Sequence, residues 1–220
     1  MPSNDALAWA VFKVIGDMDS TMDVDSDHIL GWTRMGVLML CMGWAAWFDH
    51  KERRVSNEHW IVWSKPIVFI WSLDLLIQQP HWSVWLTVSA LLAYASGSVI
   101  GRPTVRDARR GDRVDQFVLV WYLLSAIGII AAAVRFSSTS PLDVLVGDAS
   151  SEATLWWSYI GALFTLFVID LAWRFRFIHG GADAKALMWV TLLFPSWDAV
   201  PVHFTCLLYT SDAADDRDSV

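Results

Sequence analysis

Apolar residues fall in long blocks along the chain, and short polar stretches separate them. The blocks run from about Ile29 to Phe48, Trp60 to Ile77, Trp82 to Gly101, Phe117 to Val134 and Thr154 to Trp173. A further run extends from Ala184 to Phe194. Pro195 follows it and ends or kinks the helix, because proline has no amide hydrogen to continue the ladder. A helix needs about 20 apolar residues to cross a hydrocarbon core about 30 Å thick. The pattern therefore predicts an all-α, polytopic membrane bundle of about six transmembrane helices. Gln78-Gln79-Pro80-His81 is a tight turn between the second and third blocks.

The few charges inside these blocks are expected to be paired, since an isolated charge in hydrocarbon is costly. Arg34 and Asp74 fall at comparable depth in adjacent spans, which predicts a structural ion pair. Asp170 and Arg174 are four residues apart, on one helix face, and predict another. A minority alternative brings Asp170 toward a functional site from the fifth span.

Composition supports the membrane reading. Of 220 residues, 55% are hydrophobic and only 18% are charged, with a mean hydropathy of +0.40. A soluble domain of this length would be less apolar. Cys41 and Cys206 are the two cysteines, too few for a disulfide framework and without metal-ligand spacing. Cys41 lies in an apolar run and reads as a small core residue. The net charge of −7 hides a segregation of sign. Alternate loops carry Lys51, Arg53, Arg54, Arg102, Arg106, Arg109, Arg110, Arg113, Arg174, Arg176 and Lys185, eleven of the sixteen basic residues. The other side receives the acidic N-terminal stretch, the Gln-Gln-Pro-His turn and the polar stretch 137–152 with Asp143, Asp148 and Glu152. By the positive-inside rule the N-terminus is outside and the basic loops are cytoplasmic, in the cell membrane. The basic loops also suit anionic headgroups, so membrane lipids are expected partners. Nothing suggests nucleic acid.

Three regions follow. Residues 1–28 are a polar, acidic lead with one short apolar patch, Ala6 to Ile15, and no cleavable secretory signal. Residues 29–205 are the transmembrane domain. Residues 206–220 share no pattern with the rest and resemble translated sequencing-adapter read-through. They are expected to be non-native, with the native chain cut near Thr205.

Two stretches carry candidate chemistry. Asp49-His50-Lys51 closes the first apolar block, and Gly180-Gly181-Ala182-Asp183-Ala184-Lys185 opens the last. Either aspartate alone reads as an ordinary interfacial carboxylate. Together they form two Asp-x-Lys units at the same, cytoplasmic, edge. Two carboxylates brought close share a proton. One then acts as a base on water while the protonated partner polarises a peptide carbonyl. Such a pair hydrolyses an amide with no metal and no other cofactor. Lys51 and Lys185 read chiefly as side chains that snorkel to headgroups. Gly180 and Gly181 read either as a helix break or as backbone open to an extended substrate, with conformations other residues avoid. His50, His59 and His179 lie near the same edge without metal-binding spacing.

At these residues the chain resembles the type IV prepilin peptidases, most closely their archaeal branch, the preflagellin (prearchaellin) peptidases. Asp49-His50-Lys51-Glu52-Arg53-Arg54-Val55-Ser56-Asn57 is similar to the family's first motif, with Ser56 where proline is usual. Gly180-Gly181-Ala182-Asp183, followed by Ala184-Lys185-Ala186-Leu187, is similar to the second, with Ala182 in place of the glycine of the strict bacterial form. The motifs cover about a tenth of the chain. The resemblance implies a membrane aspartyl endopeptidase (a hydrolase) that removes basic leader peptides from archaellin or type IV pilin precursors at the cytoplasmic face. Asp49 and Asp183 carry over as the catalytic pair, with Lys51, Asn57, Gly180, Gly181, Ala182 and Lys185 as motif support. No methylating domain is evident. Family members usually have further spans after the second motif, so truncation is expected.

Other readings compete with this one. A presenilin- or signal-peptide-peptidase-like protease would place its aspartates in mid-helix. A transporter relaying protons through carboxylates would place charges near mid-bilayer and show internal repeats. A structural subunit would leave the two Asp-x-Lys units as coincidence.

Overall fold

A computed structural model describes residues 29–99, 101, 113–196 and 199–200. The acidic lead 1–28, most of the basic loop (102–112) and the 206–220 tail lie outside the described residues. Every regular element described is helical, with no strand. The chain partitions into two units, Met1–Gly36 with Asp198–Val220, and Val37–Trp197. Of the first, the described part is chiefly the opening turns of a helix, where Thr33 Oγ1 donates to the Ile29 carbonyl at 2.8 Å and Arg34 is buried.

Seven helices are described in chain order. They are α1 (Ile29–Glu52), α2 (Asn57–Gln78), α3 (Trp82–Val99), α4 (Arg113–Arg135), α5 (Pro141–Val146), α6 (Ser151–Arg174) and α7 (Gly181–Leu193). Five of them, α1, α2, α3, α4 and α6, are long and apolar enough to cross a membrane. They also point large apolar side chains outward, among them Met39, Leu40, Phe69, Leu123, Ile130 and Phe164. Water penalises such a surface and lipid does not. The molecule is thus an all-α, multi-pass membrane protein. The last apolar run forms α7, whose 13 residues extend about 20 Å at 1.5 Å per residue, short of a hydrocarbon core.

In the larger unit α3 is central, packing against α2, α4, α6 and α7. Lipid gives helices no hydrophobic reason to associate, so small residues and polar links do it instead. The α3–α4 contact shows both. Gly128 lies so close to α3 that a Cβ there would overlap the Leu86 Cβ and come within 3.2 Å of the Leu86 backbone. Ser89 and Ser125 hydroxyls meet at 2.9 Å, and Tyr122 donates to the Ala93 carbonyl at 2.8 Å. Polar side chains inside the spans are similarly spent on backbone: buried Thr87 donates to the Ser83 carbonyl at 2.9 Å.

α2 and α7 run in the same direction. Asn57 meets Lys185, Trp60 stacks edge-on to Trp189 at 5.3 Å, and Trp71 Nε1 donates to the Leu192 carbonyl at 2.8 Å. That last bond satisfies one of the carbonyls left open at the α7 C-terminus. The expected Asp170–Arg174 pair is present at 3.0 Å. Asp74 is buried and accepts from Gln78, four residues on, at 2.6 Å.

Candidate functional site at one end of the bundle

α1 ends at Glu52 because Arg53 adopts the left-handed region (φ 54°) and returns its amide to the Asp49 carbonyl at 2.8 Å. This is the single-bond form of a helix C-cap. It places Asp49 in the last turn of α1, exposed, with Lys51 exposed beside it. Eight residues later Asn57 begins α2. The short connection keeps both at one end of the bundle.

Asn57 is the joint of this end. Its Nδ2 donates to the Val99 carbonyl at 3.1 Å, and its Oδ1 accepts from Lys185 Nζ at 2.6 Å. Val99 is the last residue of α3, where carbonyls lack helical partners. One amide side chain thus ties α2, α3 and α7. Burial holds the Lys185 ammonium below its ordinary pKa, since a desolvated charge is disfavoured. The hydrogen bond to Asn57 fixes its head. Lys185 therefore reaches across to α2 here, its head held by Asn57.

Asp183 lies in the first turn of α7, two residues before Lys185. It is exposed, and among the described residues no hydrogen bond or ion pair engages its carboxylate or that of Asp49. The α7 N-cap is Gly180, with no side-chain cap. The two glycines do different things. Gly180 has an ordinary extended backbone (φ −90°, ψ 122°), so the expected special conformation is not used there. The left-handed position falls upstream, at Arg176 (φ 62°). What Gly180 supplies is space: a Cβ on it would overlap Asp183 Oδ2 and lie 2.8 Å from Asp183 Cγ. At Gly181 a Cβ would make an ordinary 3.5 Å contact with Trp173. Ala182 is half-buried in the same turn.

The structure therefore brings Asn57 and Lys185 into direct contact, linking α2 to α7, and leaves Asp183 exposed in the first turn of α7 and Asp49 exposed in the last turn of α1. His59 is buried against Cys41 (3.8 Å to Sγ) and edge-on to Trp60 at 5.0 Å, as a core histidine. Among the described residues no group of three or more His, Cys, Asp or Glu is placed to hold a metal ion. Sequence reasoning did not reach Val99 and Trp173. Val99 acts through a backbone carbonyl, which no residue type announces. Trp173 sits three residues after Asp170 on α6, and only the fold brings it to Gly181.

Chemically, this end offers two exposed carboxylates, of which Asp183 lies in the first turn of α7, where open helix amides favour negative charge. No family model, curated protein or solved structure matches the chain.

Proposed function

We propose that the chain is a membrane aspartyl endopeptidase, like the prepilin and preflagellin peptidases its motifs resemble. It cuts basic leaders from archaellin or pilin precursors at the cytoplasmic face, with the N-terminus outside. The observation that supports this best is the Lys185–Asn57–Val99 chain, which ties the end of the first motif to the second. Both aspartates then belong to one end of the bundle, where a substrate helix in the bilayer would present a cytoplasmic leader. Catalysis follows the shared-proton logic of paired carboxylates. One aspartate deprotonates water, the water oxygen bonds to the scissile carbonyl carbon, and the protonated partner donates to the carbonyl oxygen. Collapse breaks the C–N bond as the amine takes a proton. The helix-end position of Asp49 and Asp183 favours this over a presenilin-like site in mid-helix.

The test is cleavage of a prearchaellin or prepilin by membranes carrying the parent, Asp49→Asn or Asp183→Asn. Cleavage by the parent alone supports the dyad. Cleavage surviving either substitution removes it. A parent that cuts neither precursor removes the peptidase reading.

A further inference from the structure

The connection between α4 and α6 lies at the far end of α2 from Asn57, since Glu152, at the start of α6, accepts from the His81 amide at 2.7 Å. It holds α5, a helix of six residues that is fixed at both ends. Ser140 Oγ accepts from the Asp143 amide at 3.3 Å, and the Asp143 carboxylate accepts from the Ser140 amide at 2.6 Å. At the other end Gly147 takes the left-handed region (φ 86°), and the Asp148 amide returns to the Asp143 carbonyl at 2.9 Å. A helix this short does not persist in water by itself, so the two caps and its packing on α6 hold it.

What these devices hold is an apolar stripe turned outward. Leu142, Leu145 and Val146 are 69%, 81% and 73% exposed. Their spacing of three and four residues puts them on one helix face. Val144, half-buried, falls on the opposite face. Three large aliphatic side chains side by side in water are disfavoured, whereas lipid accepts them.

The depth of the helix says which of the two they meet. Trp157 lies six residues beyond Ser151, the first residue of α6, which is about 9 Å along the axis. Its Nε1 donates to the Thr139 carbonyl at 3.2 Å, just before α5 begins. The chain thus enters α5 along the flank of α6 rather than above its end. Arg135 and Glu152, paired at 3.3 Å, keep the end of α4 level with the start of α6. Val134, next to that pair in sequence, is itself 71% exposed on a membrane-spanning helix.

We propose that α5 is an interfacial anchor, whose Leu142, Leu145 and Val146 enter the hydrocarbon edge of the leaflet at this end. The partner is lipid with a neutral headgroup, because Asp143 and Asp148 would repel an anionic surface. The anchor does not depend on the peptidase reading, and its test reads no cleavage.

The test places a small fluorophore at Leu145→Cys or at Asp148→Cys, each in a Cys206→Ser chain whose remaining thiol, Cys41, is buried and gives the background. The proteins are placed in phosphatidylcholine vesicles. Phosphatidylcholine with a nitroxide high on its acyl chain should quench position 145 several-fold more than position 148. Aqueous iodide should show the reverse order. Equal iodide quenching at the two positions would overturn the anchor and leave the stripe in water. Protection of position 145 from both quenchers would also overturn it, and would point to a second copy on this face. An unlabelled readout is Leu142→Ser with Leu145→Ser, which should lower the unfolding midpoint in the same vesicles. Exposed leucines in water give no reason for such a loss, so an unchanged or raised midpoint overturns the proposal as well.

Discussion

The two ends of the bundle spend their carboxylates differently. At the end built by the α2–α3 turn, the end of α4 and the start of α6, acidic side chains are tied into the fold. Glu152 accepts from the His81 amide at 2.7 Å and from Arg135 at 3.3 Å, joining three elements. Asp143 and Ser140 form a capping box at α5, and Ser150 accepts from the Ala153 amide at the start of α6. At the other end Asp49 and Asp183 are exposed, the α7 N-cap is a glycine, and Ser56 precedes α2 without a capping bond. There the tie is made by a neutral amide, Asn57, and a lysine. One end uses carboxylates as staples. The other ties in Asp170, through Tyr94 and Arg174, but leaves Asp49 and Asp183 open to exchange protons or partners.

The largest expected effect breaks the comparison at the open end. Under the proposed chemistry Asp49→Asn and Asp183→Asn each lower precursor cleavage by about 10²–10⁴-fold, the usual worth of a positioned acid or base. Thermal unfolding in detergent should barely change, because neither carboxylate holds the fold. An unfolded variant would show instead that the aspartates are staples too.

Gly180→Ala comes next. Its Cβ would overlap the Asp183 carboxylate and push it to another rotamer. Misplacing a reacting group by about 1 Å costs on the order of 10²-fold. We expect a roughly 10- to 100-fold loss of cleavage at near-parent stability, whereas Gly181→Ala stays within about threefold because its contact is ordinary. Equal behaviour of the two would show that Asp183 is not held by the space at residue 180. At the stapled end the signs reverse. Glu152→Ala removes two bonds to a charged group and should cost about 1.5–3 kcal/mol of stability, read from detergent unfolding. Cleavage per folded molecule should be kept.

How much of this was legible in the sequence differs by feature. The bundle was, because apolar blocks of spanning length leave few alternatives. The extent of α7 was, to within a turn: its apolar run spans Ala184 to Phe194 and the helix spans Gly181–Leu193. The capping box in the 137–152 stretch was written as Ser140-Pro141-Leu142-Asp143, a known start signal, yet the stretch reads simply as polar when its charge is all that is weighed. Asn57 and Lys185 were visible as motif residues, but their bond spans 128 positions. Periodicity says which face of a helix is apolar, not which helix ends meet. The role of Gly180 was hidden for a different reason. Its constraint comes from the rotamer of a residue three positions on, not from its own backbone.

The smallest effect sharpens what holds the open end. Lys185 is partly desolvated, so its pKa in the folded protein lies below the ordinary lysine value that the unfolded chain has. Between the two values the unfolded state binds more protons, and stability rises with pH. Below both, the cost of burying the ammonium is fully present; above both, it is gone. Lys185→Met removes this titration, and its unfolding midpoint should be flatter than the parent's across the window just below the ordinary lysine value. It also removes the bond to Asn57, worth about 1 kcal/mol net, so at neutral pH the loss and the relieved desolvation oppose each other and the net change is small. Asn57→Ala removes both links of the joint and leaves the half-buried Lys185 without that acceptor. It should therefore destabilise more than Lys185→Met at neutral pH, and the excess should shrink as pH rises and the lysine loses its charge. If instead Asn57→Ala proves as mild as Lys185→Met at every pH, the open end is held by the Trp60–Trp189 contact rather than by this polar joint.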